Sequence, residues 1–271
     1  MDRFRPRHPK WVLSTVPVAV VLVVLLASSG LLLACERDST TTMAGSGDAK
    51  KVTFTTQDGI ELAGYLFGTG AAGVVLAHMY PTDQTSWYAA ANRLAEEGYL
   101  VLTFDFRGYG DSAGNKQFEY LDRDVFAAVQ HIAEAGASNV VIVGASMGGT
   151  ASLAAAEELF AGQLSSADIP AVKTTVAGVA TLSAPVSFKG LSAERSVAKI
   201  YCPLLFVAAK DDVGADGATE LEELSGNSGD LEIVAGEDHG TDLLQGSEAD
   251  EVWDLLLDFL SKNLPRSSQP S

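Results

Sequence analysis

Residues 139–149 read Asn-Val-Val-Ile-Val-Gly-Ala-Ser-Met-Gly-Gly, and the fold turns on how this run is taken. Asn139 to Gly144 is short, apolar and continuous rather than alternating, as expected of a strand buried on both faces. Gly144-Ala145-Ser146-Met147-Gly148 has the spacing G-x-S-x-G, and Met147 to Ala161 follows as a helix candidate. A serine at such a strand–helix junction sits on a sharp, strained turn that lifts its hydroxyl above the sheet edge. Small residues two positions to either side let strand and helix approach. A glycine-rich turn that merely binds an anion at a helix N-terminus has a similar composition. The strand–turn–helix context favours the serine as the working group.

The same rhythm extends in both directions. Gly73 to His78, Leu100 to Asp105, Val176 to Ser183 and Leu204 to Ala209 are short apolar runs, and Leu231 to Ala235 ends the series. Between and after them lie helix candidates at Ser86–Glu97, Tyr120–Ala135, Ser192–Lys199, Gly217–Leu224 and Glu248–Asn263. Ahead of them, Val52 to Thr56, the turn signal Gln57-Asp58-Gly59 and Ile60 to Phe67 read as an antiparallel hairpin. Strands alternating with helices predict an α/β domain with a mostly parallel sheet covered on both faces and right-handed crossovers. No internal repeat divides the series, so a single domain is expected from Lys50 to Pro265, with a short polar tail over 266–271.

The elbow and two further segments carry a family resemblance. Asp105-Phe-Arg-Gly-Tyr-Gly-Asp-Ser112 looks like a D-x-R-G-x-G-x-S loop, and His78-Met79-Tyr80-Pro81 stands where H-G-x-P is usual, with Met79 replacing the glycine. Over about Lys50 to Leu264 the chain resembles the α/β-hydrolases, in particular their dienelactone hydrolase and carboxylesterase-like members. The resemblance implies an eight-stranded type of sheet with an N-terminal antiparallel hairpin. It also implies a Ser-His-Asp set in the chain order serine, acid, histidine. Of the four histidines, His8 lies in the N-terminal segment, His78 ends an early strand, His131 falls within a helix, and only His239 follows Ser146. The acid is expected after Leu204–Ala209, where Lys210-Asp211-Asp212 stands. The family's G-x-x-D register selects Asp212, with Asp211 as runner-up, and Asp238 reads as a polar neighbour of His239. The oxyanion hole is expected at the backbone N–H of Met147 and of Tyr80, or of Met79 if the loop is shifted. His78 and the residues of the Asp105–Ser112 loop read as structural.

Where narrow-specificity relatives insert a helical cap, this chain has about twenty residues between Pro185 and Leu204, so no cap domain is expected. The mouth is then open, with Tyr80, Trp87, Tyr88, Met147 and residues 186–191 as lining candidates. Trp87 and Tyr88 are slightly favoured as core positions. The resemblance implies a serine hydrolase acting on small-molecule carboxylic esters or related acyl compounds through an acyl-enzyme. Peptidase, thioesterase and perhydrolase activity remain open within it. A surface-anchored binding protein on the same scaffold is the reading from a different class.

The N-terminus reads as an address. Arg3, Arg5, Arg7 and Lys10 precede Trp11 to Ala34, an uncharged and largely apolar run long enough to cross a bilayer at about 20 residues per span. The run ends in Leu32-Leu33-Ala34-Cys35, similar to a bacterial lipobox, so residues 1–35 are expected to be a lipoprotein-type signal with Cys35 the lipid-modified residue. An uncleaved signal anchor is the alternative. Residues 36–49, rich in Ser, Thr and Gly, read as a flexible linker. Both readings place the domain outside the cytoplasmic membrane and tethered to it. Among 271 residues, 35 are acidic and 18 basic, a net charge of −17, which disfavours a polyanionic partner such as nucleic acid. Two cysteines and four histidines are too few for a disulfide scaffold or a structural zinc site. No metal or cofactor is expected, and Cys202 is expected to be a buried free thiol.

Overall fold

A continuous apolar strand points successive side chains to opposite faces, so each such run in this chain supplies two cores at once. The computed structural model of the protein describes residues 49–164, 174–226 and 229–266. In it β3 (Ala72–Ala77) gives Val75 and Ala77 to one apolar cluster and Val74 and Leu76 to the other. Strand β5 (Asn139–Ala145) divides likewise, Val140 and Ile142 against Val141 and Val143. On the first face lie α2 (Leu121–Glu134), α3 (Met147–Leu164) and α4 (Ala215–Ser225). On the second lie α1 (Tyr88–Glu96) and α5 (Ala249–Asn263). Helix α5 shows why: Val252, Leu256, Phe259 and Leu260 recur at helical spacing and all are buried.

The remaining strands are β1 (Lys50–Thr55), β2 (Glu61–Phe67), β4 (Leu100–Phe104), β6 (Thr175–Leu182), β9 (Leu204–Ala209) and β10 (Gly229–Val234). They join β3 and β5 in one eight-stranded sheet of order β1-β2-β4-β3-β5-β6-β9-β10. The hairpin β1–β2 pairs antiparallel, β2 meets β4 antiparallel, and every later pairing is parallel. The loops after β3, β5, β9 and β10 therefore open on one edge of the sheet, the edge where α/β folds place their ligands.

One expectation needs correction. The predicted helix over Ser192–Lys199 is instead the end of a small ribbon, β7 (Ser187–Phe188) paired antiparallel with β8 (Leu191–Ser192), followed by a single 3₁₀ turn at Val197–Lys199. Its serines bond locally or sideways: Ser192 Oγ accepts from the Glu194 N–H, and Ser196 Oγ donates to Glu157. Such bonding competes with a helical ladder. Arg266, just past the expected domain end, pairs with Glu97 at the end of α1. The expected leader (1–35), nearly all of the linker and residues 267–271 lie outside the described residues. Among the described residues, no helix is long and apolar enough to cross a membrane.

Candidate active site

Strand β5 delivers Ser146 and α3 carries the chain away from it. Between them Ser146 adopts φ +48, a left-handed conformation costly for a residue with a side chain. Neighbours hold it there. The Ser146 N–H donates to Leu182 O at 2.7 Å, and Ser146 O accepts from Gly149 and Thr150. Both flanking glycines are dictated by space: a Cβ at Gly144 would strike Gly148 O, and one at Gly148 would strike the carbonyls of Ala77 and His78. The N-terminus of α3 is thus pressed onto the end of β3. Met147 is the first helical residue, so its N–H has no acceptor within the helix.

Asp212 follows β9 and His239 follows β10, and the structure brings them together. His239 Nδ1 lies 2.8 Å from Asp212 Oδ1 and 3.0 Å from Oδ2. A carboxylate only accepts, so Nδ1 carries a proton, and in the neutral imidazole the lone pair is then on Nε2. The Asp212 carboxylate is buried at 3% exposure, while the imidazole is one-third exposed. Asp211 takes no part in this bond; it is exposed, and its N–H donates to Gly236 O. The His239 loop is seated against the elbow: a Cβ on Gly240 would lie 3.4 Å from the Ala145 Cβ and 2.6 Å from Met79 Sδ. Asp238 lies against Gly246.

Ser183, at the end of β6, is a site residue that the sequence did not announce. It too has positive φ, at +57. Its N–H donates to Val207 O, its Oγ accepts from the Gly240 N–H at 3.1 Å, and Gly214 of the Asp212 loop packs on its Cβ. Ser183 thus touches the histidine loop through its hydroxyl and the acid loop through its Cβ.

The loop after β3 is braced by His78. Its Nδ1 donates to Met79 O at 3.0 Å and its Nε2 accepts from the Phe106 N–H at 3.1 Å. Burial pushes this imidazole below its ordinary range, and both nitrogens are occupied, so it is a neutral strut. Tyr80 ends the brace half-exposed beside Phe118 and Phe188. Of the expected lining residues, Trp87 is wholly buried in the second core, and Tyr88 packs against Tyr65 and Phe67. His131 lies on α2, stacked on Phe54.

The Asp105–Ser112 loop is a structural knot. Asp105 accepts from the N–H and the side-chain amide of Gln84 and from the Asp111 N–H. Arg107 is fully buried and spans Asp124 on α2 and Asp58 in the β1–β2 turn. The guanidinium holds Asp58 well below the usual carboxylate range, whereas burial raises Asp124 to about 6. Among the described residues, no group of three or more His, Cys, Asp or Glu side chains is arranged to hold a metal ion.

An eight-stranded, mostly parallel sheet with helices on both faces and a serine elbow after its fifth strand is the α/β-hydrolase fold. Comparison with known proteins agrees: the model of the family described as serine aminopeptidase, S33, matches residues 70–184. An esterase of Pyrococcus furiosus, Pf2001, superposes with TM-score 0.66 at 19% identity, over 80% of this chain and 91% of the esterase. A thermophilic esterase of Thermogutta terrifontis superposes with TM-score 0.58 at 20% identity, over 80% of this chain and all of that one. Among curated proteins, the uncharacterized protein YfhR of Salmonella typhi is 30% identical over 118 residues, 40% of each chain. The bifunctional epoxide hydrolase 2 of Sus scrofa is 32% identical over 93 residues, 34% of this chain and 17% of the epoxide hydrolase. The aligned region thus spans about two-fifths or less of these curated relatives' length. Together the matches support the α/β-hydrolase fold for this chain.

Proposed function

We propose that the protein is a serine hydrolase of carboxylic esters or related acyl compounds, with Ser146 as nucleophile, His239 as general base and Asp212 as its orienting acid. The observation that carries this reading is the hydrogen bond from His239 Nδ1 to a buried Asp212 on loops that share a sheet edge with the strained Ser146. With Nδ1 committed to the carboxylate, Nε2 accepts the Ser146 proton as Oγ attacks the acyl carbonyl. The N–H groups of Met147 and Tyr80 receive the developing oxyanion. Collapse of the tetrahedral species expels the alcohol, which takes the proton back from His239. Water then enters by the same route and frees the acid and Ser146.

A fluorophosphonate probe should label the protein at Ser146, and a panel of activated esters should be turned over. Replacing Ser146 with Ala should abolish labelling and lower turnover by several orders of magnitude, leaving only residual oxyanion-hole catalysis. Near wild-type hydrolysis by that variant removes Ser146 from the role. An aminoacyl amide in the same panel separates an ester hydrolase from a peptidase, the activity in the matching family's description. We also propose that the domain is exported and held at the membrane through residues 1–35, on the order of basic, apolar and Leu32-Leu33-Ala34-Cys35 segments.

A further inference from the structure

Three aromatic rings from three separate loops meet beside the expected oxyanion hole. Tyr80 comes from the loop after β3, Phe118 from the turn before α2, and Phe188 from the β7–β8 ribbon. Their centroids lie 5.5–6.1 Å apart. The ammonium of Lys189, at the tip of that ribbon, sits 3.9 Å from the Tyr80 ring centroid, 4.5 Å from Phe118 and 5.3 Å from Phe188. The ribbon is anchored over the start of α3: Thr150 Oγ1 donates to Pro185 O, and Gly149 backs onto Ala184. A second ammonium repeats the arrangement nearby. Lys116 lies 4.0 Å from the centroid of Tyr109, whose hydroxyl reaches Met147 Sδ.

Both lysines are exposed, and neither is in any of the salt bridges among the described residues. A ring face attracts a cation through its quadrupole but does not neutralise it, so both charges remain available. A cage already filled by its own ammonium repels a cationic ligand, and the free N–H groups of Lys189 can donate to an anion.

Resting on the serine hydrolase reading, we propose that Lys189, held on the Tyr80–Phe118–Phe188 rings, selects substrates that carry a carboxylate or similar anion on an otherwise apolar acyl or alcohol group. Lys116 adds to the positive rim. The rings take the apolar portion, and the ammonium takes its charged end.

The test compares matched esters on the full chain in a non-ionic detergent. One pair is the 4-nitrophenyl monoester of adipic acid against 4-nitrophenyl hexanoate. The other is 3-carboxyphenyl butyrate against its methyl ester. The anionic member of at least one pair should be favoured in kcat/KM by about three-fold or more, the scale of an exposed ion pair. That ratio should fall to about one in Lys189→Gln and invert in Lys189→Glu, whereas Lys189→Arg should keep it. About 1 M salt should also erase it, since the screening length shrinks to about 3 Å. Ratios at or below one in both pairs overturn the inference, as does a ratio unchanged in Lys189→Gln or a preference for a choline ester. A chain that takes the fluorophosphonate probe and cleaves the neutral esters without anionic preference removes this inference alone. A chain that does neither removes the hydrolase reading with it.

Discussion

Asp211 and Asp212 are neighbours of identical chemistry, yet one is buried against an imidazole and the other faces water. The difference arises from where β9 ends. The Asp212 N–H turns back to Ala209 O and the Asp211 N–H pairs with Gly236 O, so the two side chains diverge at the strand's last residue. Asp212→Asn preserves shape, but the amide oxygen and nitrogen no longer enforce the Nδ1–H tautomer of His239. In a serine protease the equivalent change lowers turnover about 10⁴-fold, and a loss of several hundred-fold or more is expected here. Asp211→Asn should change the rate by less than about two-fold, because a solvated loop carboxylate interacts weakly. Initial rates of both variants on one activated ester decide this. An impaired Asp211 variant beside an active Asp212 variant would reverse the roles. The G-x-x-D register, with Ala209 in the glycine's place, points in the sequence to the aspartate that the structure sets against His239, since it is a spacing rule. Ser183 was not legible, because its work consists of one Oγ acceptor and a positive φ that depend on two later loops.

At the scale of elements, what could be read from sequence was what repeats locally. Continuous apolar runs marked the parallel strands to within a residue or two, and α5 followed its helical period. The ribbon β7–β8 escaped because two-residue strands carry no period to detect, and Ser192–Lys199 lies between two strands, where the alternation leads one to expect a helix. The buried ion network shows the opposite case. The D-x-R-G-x-G-x-S spelling pointed to a structural loop, but its partners, Asp58 and Asp124, come from a turn 49 residues earlier and a helix 17 residues later. Arg107 thereby ties the first hairpin, the loop after β4 and the start of α2. Removing the cation leaves a fully buried carboxylate unpaired, a change that costs about 3–5 kcal/mol in comparable pairs. Arg107→Met should therefore lower the urea midpoint by that equivalent, with kcat per labelled site nearly unchanged. A midpoint within about 1 kcal/mol of wild type would show that the network is not what holds these elements together.

For the whole molecule, the balance of charge bears on how the domain meets a membrane. With −17 overall and Arg3, Arg5, Arg7 and Lys10 all in the first ten residues, the remainder of the chain is more acidic still. An anionic bilayer repels such a domain at distances within the screening length, about 8–10 Å at ordinary salt. Peripheral attraction therefore cannot hold it there, and proposed membrane residence falls to the apolar segment and Cys35. One acyl chain alone gives only marginal binding, whereas several chains or a spanning helix hold firmly. Expressed in a bacterial host, the full chain should sediment with membranes, stay there through washes in 1 M sodium chloride, and be released by non-ionic detergent. Mass spectrometry of the released protein distinguishes a diacylated N-terminal Cys35 from an intact leader. Cys35→Ser should abolish the lipid but leave the uncleaved apolar segment in the membrane. Release by salt, or a soluble chain with unmodified Cys35, would show that neither form of anchoring operates.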